Sequence, residues 1–151
     1  MSINGRRKSC ARHICLQDAR KHGGIRLTSH KETQDIRQRT YQYALRAIKL
    51  YQHLQEQRDG AGWILGKQYL RAATAIGANI EEAQASESRA DFIHKVGIAQ
   101  KEARESLYWL RRLADSHIVA DSRLNALTKE TEEMVAVITA IVVNTKARKA
   151  A

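Results

Sequence analysis

The chain has 151 residues, 26 Lys and Arg against 16 Asp and Glu for a formal charge of +10, eight glycines and no proline. That length suits a single domain, and so little turn punctuation argues against a many-stranded β fold and for a mostly helical one. The two cysteines, Cys10 and Cys15, exclude a disulfide framework and suit a reducing, cytoplasmic setting, while no apolar run approaches the ~20 residues of a membrane span, so a soluble protein with no membrane partner is expected.

Residues 1–35 hold eight Lys and Arg and no sustained apolar periodicity, the composition of a disordered basic extension. Its longest apolar run, Ile14-Cys15-Leu16, is far too short for a signal peptide, and no export leader is expected. Cys10-x-x-His13-x-Cys15 with His22 gathers soft and borderline metal ligands but lacks two ligand pairs at zinc-finger spacing, so no metal is expected there.

From Ile36 the apolar residues step by three and four. Tyr43, Ala44, Ala47, Ile48, Tyr51 and Leu54 define a first helix over about 36–57, ended by Arg58-Asp59-Gly60-Ala61-Gly62, where two glycines and an aspartate read as a turn. A second helix, about 63–85, places Leu65, Tyr69, Ala72, Ile76, Ile80 and Ala83 on one face. Its mid-helix Gly77 costs about 1 kcal/mol against Ala, a cost expected where another helix comes close. Ser88-Arg89-Ala90-Asp91 reads as a capping box that opens a third helix to about 115, cored by Phe92, Val96, Ala99, Ala103, Leu107, Leu110 and Leu113 or Ala114. A fourth helix opens at Asp121 or Ser122. Through it Leu124, Leu127, Thr131, Met134, Ile138, Ile141 and Thr145 keep a heptad register that outweighs the β-branched run 135–143. Four such helices with short connections predict an all-α, antiparallel up-down-up-down four-helix bundle over 36–145, flanked by the extension 1–35 and a basic tail 146–151.

Three features bear on function. Met134 to Val143 is apolar around the whole helix, more than one bundle needs, so Val135, Val137, Val142 and Val143 are expected to form an oligomer interface. On the third helix His94, Gly97, Lys101, Arg104, Tyr108 and Arg111, with Arg112 beside them, face away from the core stripe without an acid among them. Cations for phosphates and a ring for stacking are what nucleic acid requires. The same stripe also reads as a solvated face, with Lys101 partly neutralised by Glu105 at i+4, or as the lining of an oligomer channel. Lys146, Arg148 and Lys149 extend the cationic surface into the tail.

Arg71, Asn79, Glu81 and Glu82 stand among small residues in the second helix. They suggest a polar network inside the bundle or across a subunit boundary, the glutamates reading equally well as solvent-exposed. Asp91-x-x-His94 is a single acid-x-x-His step, whereas a di-iron bundle needs paired Glu-x-x-His helices. No glycine-rich phosphate loop or nucleophile elbow is present, so no catalytic residue, cofactor or small-molecule substrate is expected.

Arg71-Ala72-Ala73-Thr74-Ala75-Ile76-Gly77-Ala78-Asn79-Ile80-Glu81-Glu82-Ala83, then Ser88-x-x-Asp91-Phe92-Ile93 and Ile98-Ala99-x-Lys101-Glu102-Ala103-x-Glu105-x-x-Tyr108-Trp109-Leu110, resembles the four-helix-bundle family of 23S rRNA intervening-sequence proteins over about 36–146. The resemblance implies a small cytosolic bacterial protein, an up-down bundle in a ring-like homopentamer, and no known enzymatic activity. A similar fold serves as a basic, nucleic-acid-binding accessory protein in diversity-generating retroelements. Gly77 departs from the family pattern, where proline is common, and Glu81 replaces a usual small residue.

The charge is unevenly spread. Residues 1–39 hold ten Lys and Arg and three acids, and 146–151 hold three Lys and Arg and no acid, which leaves thirteen of each in 40–145. Nucleic-acid binding by the folded body must therefore come from how charge is arranged. The expectation is a non-enzymatic oligomeric bundle that binds RNA or DNA; the alternative is a protein-interaction scaffold that binds none.

Overall fold

The computed structural model describes residues 35–148. Residues 1–34 and 149–151, and with them Cys10, His13, Cys15, His22 and Lys149, lie outside the described residues. Four helices follow one another: α1 (Ile36–Glu56), α2 (Gly60–Gln84), α3 (Arg89–Asp115) and α4 (Asp121–Ala147). At 1.5 Å per residue they are ~32–41 Å long. Side-chain pairs run in opposite order along each neighbouring pair, Arg37 with Glu81 but Tyr51 and Leu54 beside Gly66, Lys95 with Glu82 but Glu105 with Arg71, and Gln100 with Thr139 but Arg111 with Glu132, so the bundle is up-down-up-down. Among the described residues no helix is long and apolar enough to cross a membrane.

Side chains open three of the helices. Asp35 accepts from the Arg37 N–H, Asp59 from Ala61 and Gly62, and Ser88 from Asp91, while Ala120 before α4 has no side chain to do so. The first connection differs from expectation. Gly60 and Gly62 lie inside α2, and the chain reverses at 57–59, with Arg58 in the left-handed region at φ 54°. His117 takes the same conformation (φ 57°) after α3. Glycine is needed for a different reason: a Cβ on Gly66 would stand 2.6 Å from Leu54 Cδ1, and one on Gly62 2.9 Å from Ile118 Cγ2. At Gly77, where close approach was expected, a Cβ would meet Thr40 at an ordinary 3.7 Å.

One core runs the length of the bundle, from Leu54, Leu124 and Leu113 at one end to Ile80, Val96 and Ile138 at the other. Ala47, Ala72, Ala73, Ala99 and Ala103 are fully buried, so small residues set the close α1–α2–α3 packing. Ile48 of the expected α1 stripe is turned outward. In α4 the buried row follows the heptad to Ile138 and then steps to Val142, leaving Ile141 only partly covered. A straight helix drifts off a strict seven-residue repeat in that direction. The helix continues through Lys146 to Ala147, past the expected boundary of the tail.

The α1 and α4 backbones stand apart, with no pair of Cα atoms within 8 Å. Long side chains bridge the gap: Arg39 to Glu133 at 2.7 Å, Arg46 to Glu130, and Arg123 to His53 at 3.0 Å. Beneath them Tyr43 Oη lies 2.8 Å from Ser106 Oγ and 2.7 Å from Thr131 Oγ1. The Thr131 hydroxyl donates to Leu127 O at 2.7 Å, so Tyr43 donates to Thr131 and accepts from Ser106. The Tyr69 ring meets Tyr43 edge-on with centroids 6.4 Å apart. Four hydroxyl side chains, one from each helix, thus meet in the core.

Candidate nucleic-acid interface

Lys101, Arg104, Tyr108, Arg111 and Arg112 are all exposed on the outer face of α3. Two carboxylates stand beside them in sequence, Glu102 and Glu105, and Arg71 of α2 pairs with both. Its Nη1 lies 3.7 Å from Glu102 Oε2, and its Nη2 hydrogen-bonds Glu105 Oε1. Trp109 Nε1 donates to the same Glu105 oxygen at 3.1 Å. These two donors, Trp109 first and Arg71 second, hold the Glu105 carboxyl below the ordinary carboxylate range. The same hydrogen bond raises the Arg71 guanidinium above its usual value. Glu105 is therefore bound to α2 and does not neutralise Lys101. Among the described residues, Lys101 and Arg104 have no carboxylate within ion-pair reach.

The other two stripe cations are engaged. Arg111 reaches Glu132 of α4 at 3.2 Å and Arg112 reaches Asp115 at 3.0 Å. The Arg112 guanidinium also sits 5.3 Å from the Tyr108 ring centre, and Trp109 meets that ring edge-on at 4.9 Å. Tyr108 is thus held on its helix as a half-exposed platform. Beside the stripe, His94, Gly97 and Lys101 of α3 and Val142 and Lys146 of α4 line a groove of about 370 Å³. Gly97 leaves its floor open, since nothing lies within 4 Å of where a Cβ would stand. The antiparallel α3–α4 pairing brings Lys146 to the same groove as Lys101, a proximity that 45 residues of sequence separation conceal. Arg148 is exposed at the end of α4.

Arg71, Asn79 and Glu82 do not join in one network. Glu82 accepts from Lys95 Nζ at 2.6 Å, Arg71 holds Glu102 and Glu105, and Asn79 Nδ2 donates to Ala75 O of its own helix at 2.8 Å. Glu81 is clasped by Arg37 of α1 at 2.8–3.1 Å. These are surface pairs along the α1–α2 and α2–α3 seams. Of the α4 valines, Val142 belongs to the chain's own core and Val135 packs against it, while Val137 and Val143 are 38% and 56% exposed. Asp91 and His94 gather no third ligand, and no group of three His, Cys, Asp or Glu able to hold a metal occurs among the described residues. Thr131 lies on the α4 seam as expected, whereas the buried Ser106 was not expected in the core; its signal was a polar residue falling on the apolar stripe of α3.

A family model described as 23S rRNA-intervening sequence protein matches residues 32–140, all four helices except the last seven residues of α4. The chain belongs to the 23S rRNA-intervening sequence protein family. It is similar to the crystal structure of a protein of unknown function from the S23 ribosomal protein family of Bacteroides thetaiotaomicron. The two are 35% identical with a TM-score of 0.67, over 72% of this chain and 98% of that one. No curated protein matches the chain. The resemblance carried by the α2 and α3 motifs is therefore a family membership, and neither the family's name nor its solved relative's states a reaction. Within the 23S rRNA-intervening sequence region lie Arg71, Lys101, Arg104 and Tyr108; Lys146 and Arg148 fall beyond it.

Proposed function

We propose that this 23S rRNA-intervening sequence protein is a non-enzymatic, self-associating cytoplasmic bundle that binds RNA or DNA through the outer face of α3. The observation that carries this reading is the capture of Glu102 and Glu105 by Arg71, which leaves Lys101 and Arg104 uncompensated beside Tyr108. Residues 40–145 carry no net charge, so a local imbalance of this kind is what a phosphate backbone would find. Lys and Arg that neutralise phosphates release condensed counterions, and an exposed aromatic ring offers every base a stacking face. Lys146 adds a third cation at the groove. Self-association is supported by α4, which has no charged residue from Met134 to Thr145 and yet exposes Val137 and Val143. The family resemblance implies that the oligomer is a pentamer.

The test is the salt dependence of binding to a fluorescent single-stranded oligonucleotide and to its duplex. Lys101→Ala/Arg104→Ala is expected to reduce the slope of log K against log salt by about 1.4–1.8, two phosphate contacts' worth. Unchanged affinity and slope would overturn the assignment. The engagement of Arg111 and Arg112 by Glu132 and Asp115 favours a second reading, a protein-interaction scaffold. A stable oligomer with no salt-dependent binding to either polynucleotide would establish it.

A further inference from the structure

The groove between α3 and α4 combines an apolar floor with a cationic rim. Ile93 and Gly97 of α3 and Val142 of α4, half-buried or buried, form the floor; exposed Lys101 comes from α3 and exposed Lys146 from α4, with His94 beside them and no carboxylate in the lining. Like charges from two helices around one apolar cleft focus a positive field in it. Its volume of about 370 Å³ is at the small end of ligand sites, room for one base and its sugar and far too little for a duplex. Gln100, also in the lining, adds directed polarity. One N–H of its amide donates to Thr139 Oγ1 of α4 at 2.7 Å, which steadies the amide and leaves its oxygen and second N–H without a protein partner among the described residues. A donor and an acceptor side by side on one amide can read the edge of a base. Along the same helix Arg104 and Tyr108 follow Lys101 at three and seven residues, which puts the half-exposed Tyr108 about 10.5 Å farther on.

We infer that the groove seats one unpaired base of a single-stranded nucleic acid, with the flanking phosphates on Lys101 and Lys146 and the strand continuing past Arg104 to stack on Tyr108. This names the substrate class of the α3 interface and rests on that reading. In a duplex every base is paired and stacked, and one can enter such a groove only after leaving the stack, at an energetic cost. An unpaired strand has no such cost, so the groove selects single strands, whereas cations on an open face would serve both forms alike.

The test fills the floor. A Cβ at Gly97 meets nothing within 4 Å, and leucine is the better helix former, so Gly97→Leu keeps the fold while its side chain occupies the groove; helical circular dichroism and light-scattering mass are recorded beside binding. The parent is expected to bind a fluorescent single-stranded DNA oligonucleotide about tenfold more tightly than its duplex, the scale of one stacked base. Gly97→Leu is expected to lose that preference, its single-strand affinity falling about tenfold with the slope of log K against log salt unchanged. Equal affinity of the parent for single strand and duplex overturns the base seat, and so does a Gly97→Leu chain that binds the single strand as the parent does. In both cases a reduced slope for Lys101→Ala/Arg104→Ala leaves the wider interface standing. A changed light-scattering mass for Gly97→Leu places another copy of the chain in the groove and overturns the inference as well. Unchanged affinity and slope for Lys101→Ala/Arg104→Ala overturn both readings.

Discussion

Glycine acts in this chain by what it lacks. The left-handed positions after α1 and α3 are held by Arg58 and His117, while Gly62 and Gly66 sit in regular helix where α1 and Ile118 come too near for a Cβ. A sequence shows only that glycine is present, and its two uses, unusual φ and close approach, look alike there; this is why the Gly60–Gly62 segment reads as a turn. Distances separate the cases. Gly66→Ala must displace Leu54, a buried core side chain, and is expected to lower stability by about 1 kcal/mol, overpacking exceeding the gain in helix propensity. Gly77→Ala has room and should raise stability by up to about 1 kcal/mol. Thermal denaturation of the two variants against the parent checks both signs, and a stabilising Gly66→Ala would refute the close-approach reading.

At the scale of helices, the four elements were legible because their apolar stripes are long, with the Ser88 cap marking the start of α3, whereas Asp59, which caps α2, reads in the sequence as part of a turn. What could not be read is which charges meet between helices. Glu105 lies four residues from Lys101, yet the ion pair it makes is with Arg71, 34 residues earlier. Side-chain direction around α3 decides this, since Glu105 and Trp109 point toward α2. Because the folded Glu105 carboxyl is held below its ordinary range, its contribution to stability is present above that range and is lost as pH falls through and below it. Glu105→Gln is therefore expected to be less stable than the parent at neutral pH, with the difference closing in acid once the parent's carboxyl is protonated. Urea midpoints at neutral and at acid pH measure it; a difference that does not change with pH would mean that Glu105 acts through packing alone.

Across the whole molecule, the fold is nearly all in the apolar pattern, whereas the candidate interface is only half visible: the face of α3 is, the removal of its acids by α2 and the arrival of Lys146 from α4 are not. The hydroxyl cluster is a property of the assembled bundle alone. Burial raises the Tyr43 and Tyr69 phenols above the ordinary tyrosine value, so the fold holds their neutral forms. That contribution is complete below about pH 10 and is lost as pH rises beyond it. Alkaline titration is expected to show phenolate absorbance from these two rings rising together with loss of helical circular dichroism. Tyr43→Phe should weaken that alkaline loss while costing about 1–2 kcal/mol at neutral pH, because Ser106 loses its acceptor. Phenolate formation by Tyr43 with helicity intact would contradict it. The bond from Tyr43 to Thr131 has one further consequence. With the α1 and α4 backbones out of contact, it is a short internal ruler beneath the Arg39–Glu133 and Arg46–Glu130 pairs, and together they set the relative height of the two rods. A slip of one helical turn, about 5.4 Å, would break this bond and both ion pairs at once, so the register of α1 against α4 is set in whole turns.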